Sequence, residues 1–114
     1  MEKNELRTYE LTYLLPGALT DNEANQAKTE IEGILKKYQA KVLKTEDWGR
    51  RRLAYTIKRG GQKHVEALYV HVVLEVLPSV AQALERDVRL SAKVIRYLMI
   101  VAGEEPTTPA PQVA

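Results

Sequence analysis

An α+β fold is predicted from three observations. Four segments alternate apolar and polar residues with a period of two, and two carry apolar residues at three- and four-residue spacing. The six follow in the order strand, helix, strand, strand, helix, strand. The chain has 114 residues, 45% of them hydrophobic and 28% charged, which suits one ordinary core and is too short for two.

In the first strand, Arg7 to Leu15, Tyr9, Leu11, Tyr13 and Leu15 alternate with Thr8, Glu10, Thr12 and Leu14. Pro16-Gly17 ends it, since proline cannot donate to a ladder and glycine permits the turn. Thr20 and Glu23 have capping-box spacing, and Ala24, Ala27, Ile31, Ile34, Leu35 and Tyr38 then make one helical stripe, predicting a helix from about Asp21 to about Tyr38. Lys36 and Lys37 near its end suit the negative pole of the helix.

The second strand starts at Ala40 to Asp47 and leads into Gly49-Arg50-Arg51-Arg52-Leu53-Ala54-Tyr55-Thr56-Ile57-Lys58, as one long bent strand or two pieces. Leu53, Tyr55 and Ile57 alternate with Ala54, Thr56 and Lys58, which predicts that the first three share a buried face. Gly49 marks a bulge or bend that re-aims the arginines. Arg59 to His64, with paired glycines, is expected to be a flexible hairpin loop. Val65 to Val76 is apolar-leaning on both faces, as in a central strand.

Pro78-Ser79 opens a second helix, with Ser79 and Gln82 at capping-box spacing, a stripe of Val80, Ala83, Leu84 and Val88, and an end near Arg89. Ser91-Ala92-Lys93 turns the chain into a last strand, Val94 to Val101. Residues 1–6 form a short N-terminal extension, 7–102 the folded domain, and the proline-rich segment 103–114 a tail expected to be disordered.

This order is the ferredoxin-like βαββαβ arrangement: a four-stranded antiparallel sheet, order 4-1-3-2, with both helices on one face. Thr8, Thr12, Leu14, Tyr69, His71 and Val73 should then lie on the uncovered face. Leu14, Tyr69 and Val73 make that face more apolar than solvent favours, which hints at a covering partner.

Enzyme chemistry finds no support. With no cysteine there is no thiol nucleophile and no cysteine zinc site. The two histidines, His64 and His71, lack metal-site spacing, the only serines are Ser79 and Ser91, and Gly60-Gly61 lacks the spacing of a phosphate-binding loop. No metal, cofactor or small-molecule substrate is expected. The charged N-terminus is not a secretory signal and no apolar run reaches the roughly 18 residues of a membrane span, so a soluble cytoplasmic protein with no membrane partner is expected.

The net charge of +2 conceals a concentration: Lys41 to Lys63 holds eight basic and two acidic residues, +6, leaving −4 for the rest. A local patch on a near-neutral domain suits contact with backbone phosphates. The plainer explanation is an edge strand protected by charge from aggregation. A base-stacking RNA-recognition motif is disfavoured, because Val65 to Val76 has no glycine-aromatic run and only Tyr69 on its open face. Arginines at a bulge and lysines in a loop suit phosphate and shape recognition of structured RNA.

The run Gly49 to Lys58 resembles the signature of the sixth protein of the bacterial small ribosomal subunit, the S-six family. Tyr9-Glu10-Leu11 in a strand ending at Pro16, and Val88-Arg89-Leu90 followed by Val94-Ile95-Arg96, resemble the same family's landmarks. The resemblance implies a non-catalytic ribosomal protein that binds the central domain of small-subunit ribosomal RNA as a heterodimer with ribosomal protein S-eighteen. Arg50, Arg51, Arg52, Lys58, Arg59 and Lys63 would then neutralise phosphates, with Arg89, Lys93 and Arg96 as a second cluster. Trp48, Tyr69 and His71 are expected at the protein partner, although Trp48 suits a core equally well. The alternative from another class is a protein-interaction module whose arginines form interfacial ion pairs.

Overall fold

The computed structural model describes residues 6–59 and 61–102, so the expected tail, and the expected N-terminal extension apart from Leu6, lie outside the described residues. Six elements follow in the predicted order: β1 (Arg7–Pro16), α1 (Asp21–Lys37), β2 (Lys41–Arg59), β3 (Gln62–Val76), α2 (Pro78–Leu90) and β4 (Arg96–Val101). Every pairing is antiparallel and the sheet order is β2-β3-β1-β4, the ferredoxin-like topology.

The main core lies between the sheet and the helices. Tyr9, Leu11, Tyr13 and Leu15 of β1, with Leu68, Val70, Val72, Leu74 and Val76 of β3, pack with Ala24, Ala27, Ile31 and Leu35 of α1 and Leu84 and Val88 of α2. The α1 cap forms as its spacing predicts. Glu23 N donates to Thr20 Oγ1 at 3.2 Å, and Thr20 N donates to Glu23 Oε1 at 3.0 Å. At its other end Lys37 pairs with Asp87 of α2 at 3.0 Å.

The second helix differs from expectation. Its N-cap is Leu77, with no side-chain cap, because Pro78 has a φ suited to the first helical position and draws the start forward, leaving Ser79 inside the helix. The last strand also starts later, at Arg96. Val94 and Ile95 instead bury on the two sides of the sheet, Val94 in the main core and Ile95 in a second cluster, with Ile95 N donating to Leu14 O at 2.9 Å.

That second cluster corrects the expected apolar exposure of the uncovered face. Leu14, Ile57, Ala67, Tyr69 and Ile95 bury one another, with Trp48 and Leu53 packed at the edge. Leu14 and Tyr69 are thus withdrawn from solvent by their own chain.

β2 is one strand across the whole basic run, with three register shifts against β3, one between Val42 and Lys44 and two farther on that aim the side chains of the arginine-rich stretch. Asp47 pairs with Val70 and Gly49 with Tyr69, so Trp48 is the extra residue of a bulge, and Gly49 takes φ +85, where a side chain would be strained. Farther on, Arg52 pairs with Glu66 and Ile57 with His64, setting the four residues 53–56 against Val65 alone. This overturns the buried position expected for Tyr55, which is 82% exposed while Ile57 is buried. Period-two alternation fails where the partner strand is three residues shorter. The expected loop Arg59 to His64 is also corrected. Gln62, Lys63 and His64 belong to β3, and only residues 60 and 61 separate the strands.

Candidate nucleic-acid interface

The β2–β3 arm from Gly49 to Val65 carries six cations and no carboxylate. Its neighbouring acids are already engaged. Asp47 takes Lys28 of α1 at 2.6 Å, and Glu46 takes Lys44 at 3.1 Å. The Lys28 hydrogen bond holds the Asp47 carboxyl below the usual aspartate range, and the Trp48 indole holds Glu46 below the glutamate range. Both acids are therefore anionic at neutral pH with partners of their own, and Glu66, opposite Arg52 in the ladder, is the one carboxylate that borders the arm's cations.

The arginines divide by role. Arg50 reaches across to the β1–α1 connection, where Nε donates to Gly17 O at 2.7 Å and Nη2 to Leu19 O at 3.2 Å. It braces a tight crossing, since Gly17 N donates to Glu66 O at 3.1 Å and a Cβ on Gly17 would lie 2.7 Å from Glu66 Cβ. Arg51 Nε donates to Trp48 O at 3.2 Å, stabilising the bulge while its outer nitrogens stay available. Arg52 is exposed, on the face opposite Arg51 by alternation. Lys58 and Lys63 are both exposed and directly paired across the strands, like charge against like.

The second cluster adjoins the first. Arg59 Nη2 donates to Arg89 O at the end of α2 at 3.0 Å, which brings the hairpin end to the α2–β4 turn. Lys93 is exposed in that turn, and Arg96 begins β4 opposite Leu14. Arg96 and Arg51 both act on the Tyr69 hydroxyl, opposing the upward shift that burial imposes. Arg51 and Arg96 thus flank Tyr69 and Arg59 ties the hairpin end to Arg89, while Arg50, although exposed, has its guanidinium engaged by backbone carbonyls.

On the uncovered face, Trp48 stacks on His71 with ring centroids 4.7 Å apart and planes 9° from parallel. Trp48 Nε1 donates to Glu46 Oε1 at 3.0 Å. His71 Nδ1 lies 2.9 Å from Thr12 Oγ1, and Nε2 lies 3.5 Å from Glu10 Oε1. With a carboxylate beside Nε2, the Nε2–H tautomer lets Nδ1 accept from the Thr12 hydroxyl. The bulge is what brings the indole to this face. Thr12 pairs with both His71 and Leu98, so Leu98, Thr12, His71 and the Trp48 ring form a row across the sheet. Tyr69, only 2% exposed, belongs to the buried cluster beside that row.

Sequence reasoning missed Glu10, Thr12 and Glu46 as the polar frame of the stacked pair, and Tyr55 as an exposed ring. Thr12 and His71 could have been joined from the predicted strand order, whereas Tyr55 depends on a long-range register shift. Among the described residues there is no group of three or more His, Cys, Asp or Glu able to hold a metal, and no helix is long and apolar enough to cross a membrane.

Residues 8–101 match the family model described as Ribosomal protein S6. The small ribosomal subunit protein bS6 of Rippkaea orientalis is 36% identical over 93 residues, covering 82% of this chain and 72% of the relative. That of Geobacter sulfurreducens is 31% identical over 109 residues, covering 96% and 90%. The crystal structure of 30S ribosomal protein S6 from Thermotoga maritima superposes with a TM-score of 0.75 at 22% identity, over 85% of this chain and 88% of that one, and shows the same fold.

Proposed function

Since the chain belongs to the ribosomal protein S6 family, a structural protein of the small ribosomal subunit and not an enzyme, we propose that it binds the central domain of small-subunit ribosomal RNA as a heterodimer with ribosomal protein S-eighteen. Recognition is of phosphates and helix shape. The observation that carries this is the Lys58–Lys63 pair on an arm without carboxylates. Like charges directly opposite in a ladder destabilise the free protein, and an arriving phosphate relieves the repulsion.

Arg51, Arg52, Lys58, Arg59 and Lys63 are assigned to phosphates, with Arg89, Lys93 and Arg96 extending the track around the sheet end. Arg50 acts indirectly, by holding the arm to the β1–α1 connection. The row of Trp48, His71 and Leu98 is assigned to the protein partner. It is supported by the stacked pair and by Leu98, which is 48% exposed on the same face. Tyr69 stiffens that face from within its own cluster.

The test is binding of the full chain to a central-domain ribosomal RNA fragment across a salt series, with and without ribosomal protein S-eighteen. Replacing Arg51, Arg52, Lys58 and Lys63 together by alanine should lower the slope of log affinity against log salt by about 3, at about 0.7–0.9 for each phosphate no longer neutralised. An unchanged slope would overturn the phosphate assignment. His71→Ala should weaken binding only when the partner protein is present.

A further inference from the structure

We infer that Tyr55 stacks on an unpaired nucleobase of the bound RNA, an inference that rests on the ribosomal RNA binding proposed above and adds a base contact to it. Tyr55 is the most exposed large apolar side chain among the described residues, at 82%, and it lies on the arm rather than on the sheet face. Nothing in the fold rewards that position. Alternation would have placed the ring with Leu53 and Ile57 in the second cluster, where burial of an aromatic ring stabilises the fold. Instead the chain sets residues 53–56 against Val65 alone, giving up ladder pairing to turn the ring outward. A bulge that re-aims a side chain in this way is a device for binding.

The surroundings select the partner's chemistry. Arg52 precedes the bulge, Lys58 and Arg59 follow it, and Lys63 lies across the ladder, so the ring is presented within a field of cations with no carboxylate from Gly49 to Val65. A protein partner matched to that field would have to be strongly acidic as well as offer an apolar slot. Nucleic acid supplies both needs at once, phosphates for the cations and a base face for the ring. Duplex bases are already stacked, so the target is a base freed at a junction, bulge or loop. Val65, also exposed at 53%, lies opposite the same irregularity and leaves an apolar margin beside the ring.

Full-length Tyr55→Ala, Tyr55→Leu and Tyr55→Phe variants would be titrated against the central-domain ribosomal RNA fragment over the same salt series, with ribosomal protein S-eighteen present. Base stacking predicts that alanine and leucine each weaken binding about 5- to 150-fold with no change in salt slope, while phenylalanine stays within about 2-fold. Because the side chain is exposed, thermal unfolding should be the same for all three, which excludes misfolding as the cause. Wild-type affinity for the alanine variant overturns the stacking inference and leaves the phosphate reading intact. Recovery by leucine overturns it in favour of apolar contact. A variant that loses the partner protein but binds RNA normally overturns it in favour of a protein contact. Absence of salt-dependent RNA binding by the wild-type chain overturns the underlying function and this inference with it.

Discussion

The helix-covered face of the sheet and the β2–β3 arm are built on the same strands and obey different rules. On the covered face, Leu74 and Val76 of β3 share one buried core with Leu84 and Val88 of α2. There, alternation is strict from Tyr9 to Leu15 and from Leu68 to Val76. On the arm, β3 continues to Gln62 with Lys63 set against Lys58, and β2 takes two register shifts within a few residues. Burial pins register on the face, since a slip of one residue would turn every core side chain to solvent. The arm has no such penalty along most of its length, so its geometry is free to serve presentation of charge. One strand can thus be a packing element at one end and a binding element at the other.

The difference is sharpest when both ends of β3 are altered separately. Leu74 is 0% exposed, so Leu74→Ala leaves a cavity and should lower unfolding free energy by about 2–5 kcal/mol, read by denaturant titration. The salt slope of RNA binding should be unchanged wherever the variant is folded. A loss below about 1 kcal/mol would mean that the core is looser than its burial indicates. Lys63→Glu should do the reverse. It replaces a like-charge pair with an ion pair to Lys58, raising the thermal midpoint by about 1–4 °C. The same change should weaken RNA binding and reduce its salt slope by about 1–2. If Lys63→Glu lowered both stability and binding, the arm would be a structural element and the contrast would fail.

Sequence legibility follows the same division. The elements of the covered face could be read locally: the Thr20–Glu23 box, the α1 stripe and the β1 alternation each depend on neighbours within a few positions. The α2 start could not be read from Ser79, because Pro78 competes for the same turn and prevails through its fixed φ. On the arm, the density of arginines showed where charge gathers but not which guanidinium is free. Arg50 is engaged by carbonyls more than thirty positions away in the chain. The exposed Tyr55 is a consequence of pairing between β2 and β3, and no pattern within β2 alone encodes it. The buried cluster of the uncovered face joins Ile57 to Ile95, residues that only the closed topology brings together. Trp48 stacks on His71 because the bulge beside Gly49 returns the indole to the face where His71 already points.

Trp48 also marks the boundary between the two regions, and it gives the smallest expected effect. As the chain's only tryptophan it reports directly on the bulge. Its indole donates to Glu46, and that hydrogen bond, with Lys44 adding to it, depresses the Glu46 carboxyl below its ordinary value of 4.5. A group with a depressed folded pKa stabilises the fold above the ordinary value and loses that contribution as the pH falls through the lower folded value. In a His71→Gln background, which removes the imidazole from the stack, Trp48 emission should therefore hold steady from neutral pH down to about 4.5 and change only below it. Glu46→Gln should abolish the transition. A midpoint at or above 4.5 would show that the indole does not favour the carboxylate. The bulge would then be held by Gly49 and the Arg51 contact to Trp48 O alone, and the uncovered face would answer to backbone geometry with no help from charge.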